Sequence, residues 1–129
     1  MINARVDVWM QPEMHDPASG LDEAIRRAQA YLAAGADGIF PIGLVERDVL
    51  ATLVRLIGAP INVAAISGIA GLQELARIGV ARVSTATRFA TLALGAVDHA
   101  VTRFLQDRDT GHLASGFGYS DAQRLFDRT

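Results

Sequence analysis

The chain alternates short apolar segments with longer amphipathic ones, and it does so four times in 129 residues. The short segments have the length and composition of buried strands, and the longer ones repeat apolar residues every three or four positions, as helices do. Parallel strands need crossover helices, whereas antiparallel strands need only tight turns. The alternation therefore predicts an α/β fold with a parallel sheet. The predicted strands are residues 2–9, 38–40, 61–66 and 80–84, and the predicted helices are residues 21–34, 46–57, 72–78 and 87–106.

Glycines mark the ends of the first three helices, at Gly35, Gly58 and Gly79, where a left-handed residue is favoured. Ser19 is a predicted N-cap for the first helix, because Asp22 follows it at capping-box spacing. The run Ser120-Asp121-Ala122-Gln123 has the same spacing and predicts a small terminal helix. From the residues alone, four strand–helix units fit either a small open sheet or half of an eight-stranded barrel.

Composition narrows the class of protein. Half of the residues are apolar and a fifth are charged, as in a globular core. The net charge of −2 offers no attraction to nucleic acid or to an anionic membrane surface, so neither is expected as a partner. The sequence contains no cysteine, which excludes disulfides and a cysteine nucleophile, and it has no apolar run of membrane-spanning length. We expect a soluble, cytoplasmic protein.

The first predicted strand has two unlike faces. Side chains alternate across a strand, so Asn3, Arg5 and Asp7 share one face and the residues between them form an apolar back. A polar front of this kind is typical of a strand that faces a binding site. No earlier strand is present to pair with it, and we expect the chain to be the second half of something larger. An unpaired strand edge is a liability that proteins usually cover.

An ordered set of segments resembles the isocitrate lyase/phosphoenolpyruvate mutase superfamily, and within it the phosphoenolpyruvate mutase-like branch. The resemblance covers about residues 1–106. The segments, in order, are Asn3-Ala-Arg-Val-Asp7, Leu21-Asp-Glu-Ala-Ile-Arg-Arg-Ala-Gln-Ala-Tyr31, Ala34-Gly-Ala-Asp-Gly-Ile-Phe40, Pro60-Ile-Asn-Val63 and Leu75-Ala-Arg-Ile-Gly-Val-Ala-Arg-Val-Ser84.

The resemblance implies a (β/α)8 TIM-type barrel of parallel strands, of which residues 1–106 would be the second half, with residues 107–129 as a tail carrying a short helix. It implies Mg2+ chemistry at C–C or C–P bonds of small oxo-acid or phosphonate substrates, with the metal ligands and the catalytic loop outside this chain. The fragment would be inactive alone. The alternative is a non-catalytic remnant or a partner subunit that completes a barrel as a homo-oligomer or with a complementary half-barrel. Family members exchange a C-terminal helix between subunits.

Three residues are predicted to bind a small carboxylate or phosphonate: Arg5, Asn3 and Asn62. Arg5 matches the family arginine that holds the acid group, and a guanidinium suits that task because it forms two charge-assisted hydrogen bonds. The alternative for Arg5 is a structural pair with Asp7 or Asn3, and for Asn62 a hydrogen-bonded buried amide. No catalytic residue and no metal ligand is assigned, since His15, His99 and His112 lack metal-ligand spacing.

A second, weaker candidate site is expected at the barrel corner that often binds phosphate or other anions near a helix N-terminus. Its residues are Ser67, Gly68, Gly71, Ser84, Thr85 and Thr87. Serine and threonine also cap helices for purely structural reasons, and the sequence leaves both interpretations open.

Overall fold

The computed structural model of the chain describes residues 1–11, 16, 18–108, 110–113 and 116–127. Their strands are β1 (Asn3–Val6), β2 (Gly38–Pro41), β3 (Asn62–Ala64) and β4 (Arg82–Ser84), and their α-helices are α1 (Leu21–Ala33), α2 (Arg47–Ile57), α3 (Leu72–Ile78), α4 (Arg88–Asp107) and α5 (Tyr119–Phe126). Contacts divide the chain into two compact units, Met1–Ala86 and Thr87–Thr129. The predicted division after residue 106 stays a prediction.

The helices agree with the sequence-based bounds to within one residue at each end for α1 to α4. Gly58 and Gly79 adopt left-handed conformations, with φ of +64° and +97°, where α2 and α3 end. The predicted caps are wrong in two places. Gly20, not Ser19, precedes α1, and the Ser19 hydroxyl instead donates to the Asp16 carbonyl oxygen at 2.7 Å.

The terminal helix begins two residues earlier than the Ser120 spacing predicts. The residue before α5 is Gly118, and its backbone N–H donates to Oδ2 of Asp121 at 2.8 Å. A carboxylate three residues into a helix satisfies an N–H that would otherwise lack a partner. Asp121 therefore has the role that the spacing predicted for Gln123.

β1 is shorter than the strand predicted over residues 2–9. Its hydrogen-bonded ladder ends at Val6, and Asp7 turns the backbone out of the extended region (φ −98°, ψ 16°) into a single 3-10 turn, Val8–Met10. The alternation predicts Ile2 on the apolar face with Ala4, Val6 and Val8, but Ile2 is 62% exposed. The apolar alternation in the sequence continues past the point at which the backbone bends, so the pattern alone overestimates the length of the strand.

The sheet is parallel and consists of two strand pairs. β1 pairs with β2 in the register Asn3↔Gly38 to Val6↔Pro41. β3 pairs with β4 in the register Asn62↔Arg82 to Ala64↔Ser84. Among the described residues, one bridge, Ile39↔Ile61, joins the two pairs, and there the Ile39 N–H donates to the Pro60 carbonyl oxygen at 2.9 Å. The order across the sheet is therefore β1, β2, β3, β4.

One face of the sheet packs against helices to form the core. Side chains from the strands and from α1, α2 and α3 exclude water from this face almost completely, which is the main source of stability for the unit. The buried apolar residues of this cluster are Val6, Val8, Ala24, Ala28, Ile39, Leu44, Leu50, Leu53, Ile57, Ile61, Val63 and Leu75. The alternation of strands and helices in the sequence predicts a parallel sheet packed against helices, and the structure has this arrangement on one face of the sheet.

The second unit consists chiefly of α4 and α5. The sequence predicts that one side of α4 carries an apolar stripe, which consists of Phe89, Leu92, Ala93, Ala96, Ala100 and Phe104. No side chain of α4 is buried, and Phe89 is 71% exposed. Among the described residues, no helix combines the length and the apolar character needed to cross a bilayer.

Candidate functional site

The site is built on the sheet face opposite the core, which we call the polar face. Residues that are partners in a parallel ladder point to the same side, and the side alternates along each strand. The registers therefore place one set of side chains on this face: Asn3, Arg5, Phe40, Asn62, Ala64, Arg82 and Ser84, with Gly38 contributing backbone only. The intervening residues face the core. The polar face thus gathers two guanidinium groups, two amides and a hydroxyl.

Four of these residues lie at the same level on the four strands. Arg5 is the register partner of Phe40, and Asn62 is the partner of Arg82. One residue beyond the Ile39↔Ile61 bridge, Phe40 comes level with Asn62. The four therefore form a row, Arg5–Phe40–Asn62–Arg82, with a guanidinium at each end. At a strand spacing of about 4.8 Å, the backbone ends of the row are about 14 Å apart.

Arg5 forms a structural pair with Asp7, which is the alternative to a binding role, but the pair occupies only part of the guanidinium. Its Nε contacts Oδ1 of Asp7, and both side chains are about half exposed. An exposed pair of this kind contributes little to stability, about 0–1 kcal/mol. Within the described residues, the terminal amino groups of Arg5 have no hydrogen-bond partner. Asp7 orients the side chain and leaves its two-pronged end available.

Asn62 is the buried polar residue of the face, with 3% of its surface exposed. Its Oδ1 accepts two hydrogen bonds, from Ser84 Oγ at 2.9 Å and from Arg82 Nε at 3.2 Å. Its Nδ2 is buried and has no hydrogen-bond partner among the residues that the structure describes. A buried donor without a partner costs about 1–3 kcal/mol. An amide flip does not remove the cost, because Arg82 Nε can only donate and requires the oxygen on its side.

The structure brings two of the three predicted binding residues into one row and the third onto the same face. Arg5 and Asn62 share the row, and Asn3 lies two residues before Arg5 on β1. Arg82 is a residue that the sequence reasoning missed. The period-two alternation of residues 80–84 would have identified it, because Arg82 and Ser84 fall on one side and Val83 on the other. The binding roles of Asn3, Arg5 and Asn62 remain predictions.

The polar face does not fit the Mg2+ site that the resemblance implies. Mg2+ requires oxygen ligands, usually including one or two carboxylates. The face offers mainly N–H donors, and Asp7, whose carboxylate lies beside it, is paired with Arg5. Among the described residues, no three His, Asp or Glu side chains converge on a point. His15 and the side chain of His112 lie outside what the structure describes.

A strongly shifted pKa occurs on α1, where Glu23 accepts hydrogen bonds from Arg26 Nε at 2.7 Å and from Arg27 Nε at 2.5 Å. The bonds to Arg26 and then to Arg27 lower the pKa of Glu23 from 4.5 to about 2. Glu23 also lies in the first turn of α1, where a negative charge is favourable. The ion pairs of Glu23 with Arg26 and Arg27 stabilise the start of α1, and none of these residues belongs to the polar face.

The phosphoenolpyruvate phosphomutase family model matches residues 1–105, which is most of the chain. The chain belongs to this family. The resemblance inferred from the sequence is thereby confirmed. The chain is 37% identical over 127 residues to an uncharacterized protein of Mycobacterium tuberculosis, a match that covers 98% of this chain and 46% of that protein.

Two solved structures show the same fold. A proposed lyase/mutase from Burkholderia cenocepacia J2315 is 34% identical, with a TM-score of 0.81, and the match covers 97% of this chain and 44% of that one. A 2,3-dimethylmalate lyase of the phosphoenolpyruvate mutase/isocitrate lyase superfamily has a TM-score of 0.73 at 21% identity, covering 98% of this chain and 42% of that one. The phosphomutase-family chain described here therefore spans less than half the length of these relatives.

Proposed function

We propose that residues 1–106 form four strand–helix units that make one half of a (β/α)8 barrel, with the polar face on the inside. The direction of the side chains supports this arrangement, because the core face is covered by helices and the opposite face carries the charged groups. Active sites of such barrels lie at the carboxyl ends of the strands. Asp7 and Ser84 stand at or just beyond the carboxyl ends of β1 and β4, whereas Asn3 and Asn62 are the first residues of β1 and β3 and lie deeper within the proposed barrel.

In this proposal Arg5, with Asn3 and Asn62, binds the acid group of a small oxo-acid or phosphonate. The complete barrel, in the cytoplasm, then makes or breaks a C–C or C–P bond next to that group. The observation that carries the proposal is the half-exposed Arg5 guanidinium, which Asp7 orients through Nε while its terminal amino groups have no partner among the described residues. A planar fork in this state matches a carboxylate or phosphonate in two-point geometry.

Turnover by these residues alone is not expected. The resemblance implies Mg2+, and the donor set of the polar face does not suit that ion. We therefore place the Mg2+ ligands outside this chain, whose own contribution is to bind and orient the acid group. Fixing a substrate in a reactive geometry is a large part of catalysis.

Binding and turnover of the purified chain test the proposal separately. We expect oxaloacetate and phosphonopyruvate to bind, Arg5→Gln to weaken both by about tenfold or more through loss of charge-assisted hydrogen bonds, and the control Arg55→Gln on α2 to bind as the wild type does. Mg2+ is expected to produce no cleavage of 2-methylisocitrate, oxaloacetate or phosphonopyruvate. Equal binding by Arg5→Gln and the wild type would refute the proposed site.

The alternative is a non-catalytic remnant or partner subunit that completes a barrel as a homo-oligomer or with a complementary half-barrel. The exposed apolar side chains of α4 favour association, because contiguous apolar surface of this kind marks interaction sites. Sedimentation at micromolar concentration should then show an assembly that Leu92→Glu dissociates and the exposed polar control Thr91→Glu does not. A monomer under these conditions would contradict the assembly.

A further inference from the structure

The cluster Asn62–Arg82–Ser84 on β3 and β4 has a property that its structural role leaves unexplained. A buried amide in a purely structural network has its oxygen and its nitrogen satisfied. Here the oxygen accepts two hydrogen bonds, while the nitrogen, although fully buried, donates none to any part of the chain that the structure describes. Because Arg82 Nε and the Ser84 hydroxyl both point their hydrogens at Oδ1, the amide orientation is fixed and Nδ2 is held as a donor on the opposite side.

Arg82 is itself only partly used. Its Nε donates to Asn62, and its Nη2 lies 3.5 Å from Ser84 Oγ, at the outer limit of a hydrogen bond. Among the described residues, no carboxylate pairs with Arg82. The residue is exposed, and its guanidinium is anchored at Nε and held only weakly at Nη2, while Nη1 has no partner among the described residues. This is the same partial use that Arg5 shows at the other end of the row.

We infer that Arg82 is a second anion-binding residue of this site, and that with the unpaired Nδ2 of Asn62 it selects ligands that carry a second acidic group. This inference rests on the proposed function of Arg5. All the unused groups of the row are N–H donors, so the ligand must supply acceptors, and the two positive charges favour acceptors that are negative. A single guanidinium already satisfies one carboxylate in a two-point contact. Two guanidiniums whose long side chains extend from strands about 14 Å apart can therefore each take one of two acidic groups on the same carbon skeleton.

A matched pair of ligands isolates the second acid group. Succinate and succinamate have the same length and differ by one carboxylate replaced with an amide. Titrations of the full chain, followed by the side-chain amide signals in nitrogen–proton correlation spectra, give both dissociation constants. We expect succinate to bind at least about tenfold more tightly, as expected for a charge-assisted contact, and the Asn62 side-chain amide, assigned through its loss in Asn62→Leu, to shift on binding.

Variants at each end of the row separate the two roles. Arg82→Gln should reduce the preference for succinate over succinamate to less than about twofold, whereas Arg55→Gln should preserve it. Arg5→Gln should weaken both ligands. Circular dichroism spectra identical to that of the wild type would show that the exposed Arg82 can be replaced without unfolding the chain.

The two failures have different signatures. If Arg82→Gln retains the full preference for succinate, or if the Asn62 amide does not shift, the inference is wrong and the proposed Arg5 site stands. If Arg5→Gln leaves both affinities unchanged, or if neither acid binds the wild-type chain at millimolar concentration, the proposed function itself fails.

Discussion

Gly38 lies where the two strand pairs meet, and replacing it tests how the row of binding residues is assembled. A Cβ at this position would come 2.8 Å from the Pro60 carbonyl oxygen. That oxygen accepts the Ile39 N–H at 2.9 Å, which is the hydrogen bond of the Ile39↔Ile61 bridge. Gly38→Ala therefore places a methyl group against the acceptor that connects β2 to β3. Because the obstacle is backbone, it cannot move aside as a flexible side chain would.

The expected cost follows from three terms. Overpacking a tight site costs about 1–3 kcal/mol, and losing one hydrogen bond costs about 1 kcal/mol. The lower backbone entropy of unfolded alanine offsets about 0.5–1 kcal/mol of this. Gly38→Ala should therefore lower the free energy of unfolding by about 1–3 kcal/mol.

Urea unfolding, followed by Trp9 fluorescence and circular dichroism, measures this change. Gly71→Ala is the matched control, because a Cβ there meets no described atom within 4 Å and φ is −66°, a value that alanine adopts readily. We expect this control to remain within about 0.5 kcal/mol of the wild type. If Gly38→Ala were as stable as the control, the contact between β2 and Pro60 would not be as close as described.

Three further changes have definite expected outcomes. Asn62→Leu should change the unfolding free energy by no more than about 1 kcal/mol in urea titrations, because removing the unpaired donor offsets two lost hydrogen bonds, whereas the fully buried Leu50→Ala should cost about 2–5 kcal/mol. Glu23 stabilises the fold fully above its ordinary pKa of 4.5, and this contribution is lost as the pH falls towards about 2, so Glu23→Gln should flatten the thermal stability profile across that interval. Gly95→Ala, within α4 and with no atom near the new Cβ, should raise helix stability by about 0.5–1 kcal/mol in thermal circular dichroism melts.

The sequence predicted the helices well because two local signals agreed. Apolar residues at helical spacing identified the helix faces, and Gly58 and Gly79 identified the ends. The strands were predicted less well, since alternation persists beyond Val6 although Asp7 bends the backbone. Ser19 shows the same limit for caps, because its hydroxyl bonds to Asp16 rather than to the start of α1.

For the site, alternation placed Asn3 and Arg5 on one face, and the structure adds how they align with the other strands. The row depends on the Ile39↔Ile61 bridge, a tertiary contact that no local pattern encodes. The unpaired nitrogen of Asn62 depends on atomic positions in Arg82 and Ser84. Arg82 follows the same alternation, because Arg82 and Ser84 fall on one side of β4 and Val83 on the other.

The lone bridge at Ile39 makes this amide a reporter of ligand occupancy. With one ladder contact holding the two halves of the sheet together, transient opening between β2 and β3 should expose the Ile39 amide to solvent deuterium sooner than amides inside either pair. A diacid bound by both Arg5 and Arg82 would connect β1 to β4 across this opening, and it would therefore slow the deuterium exchange of the Ile39 amide. Deuterium uptake at a residue that touches no ligand would then follow the occupancy of the proposed site.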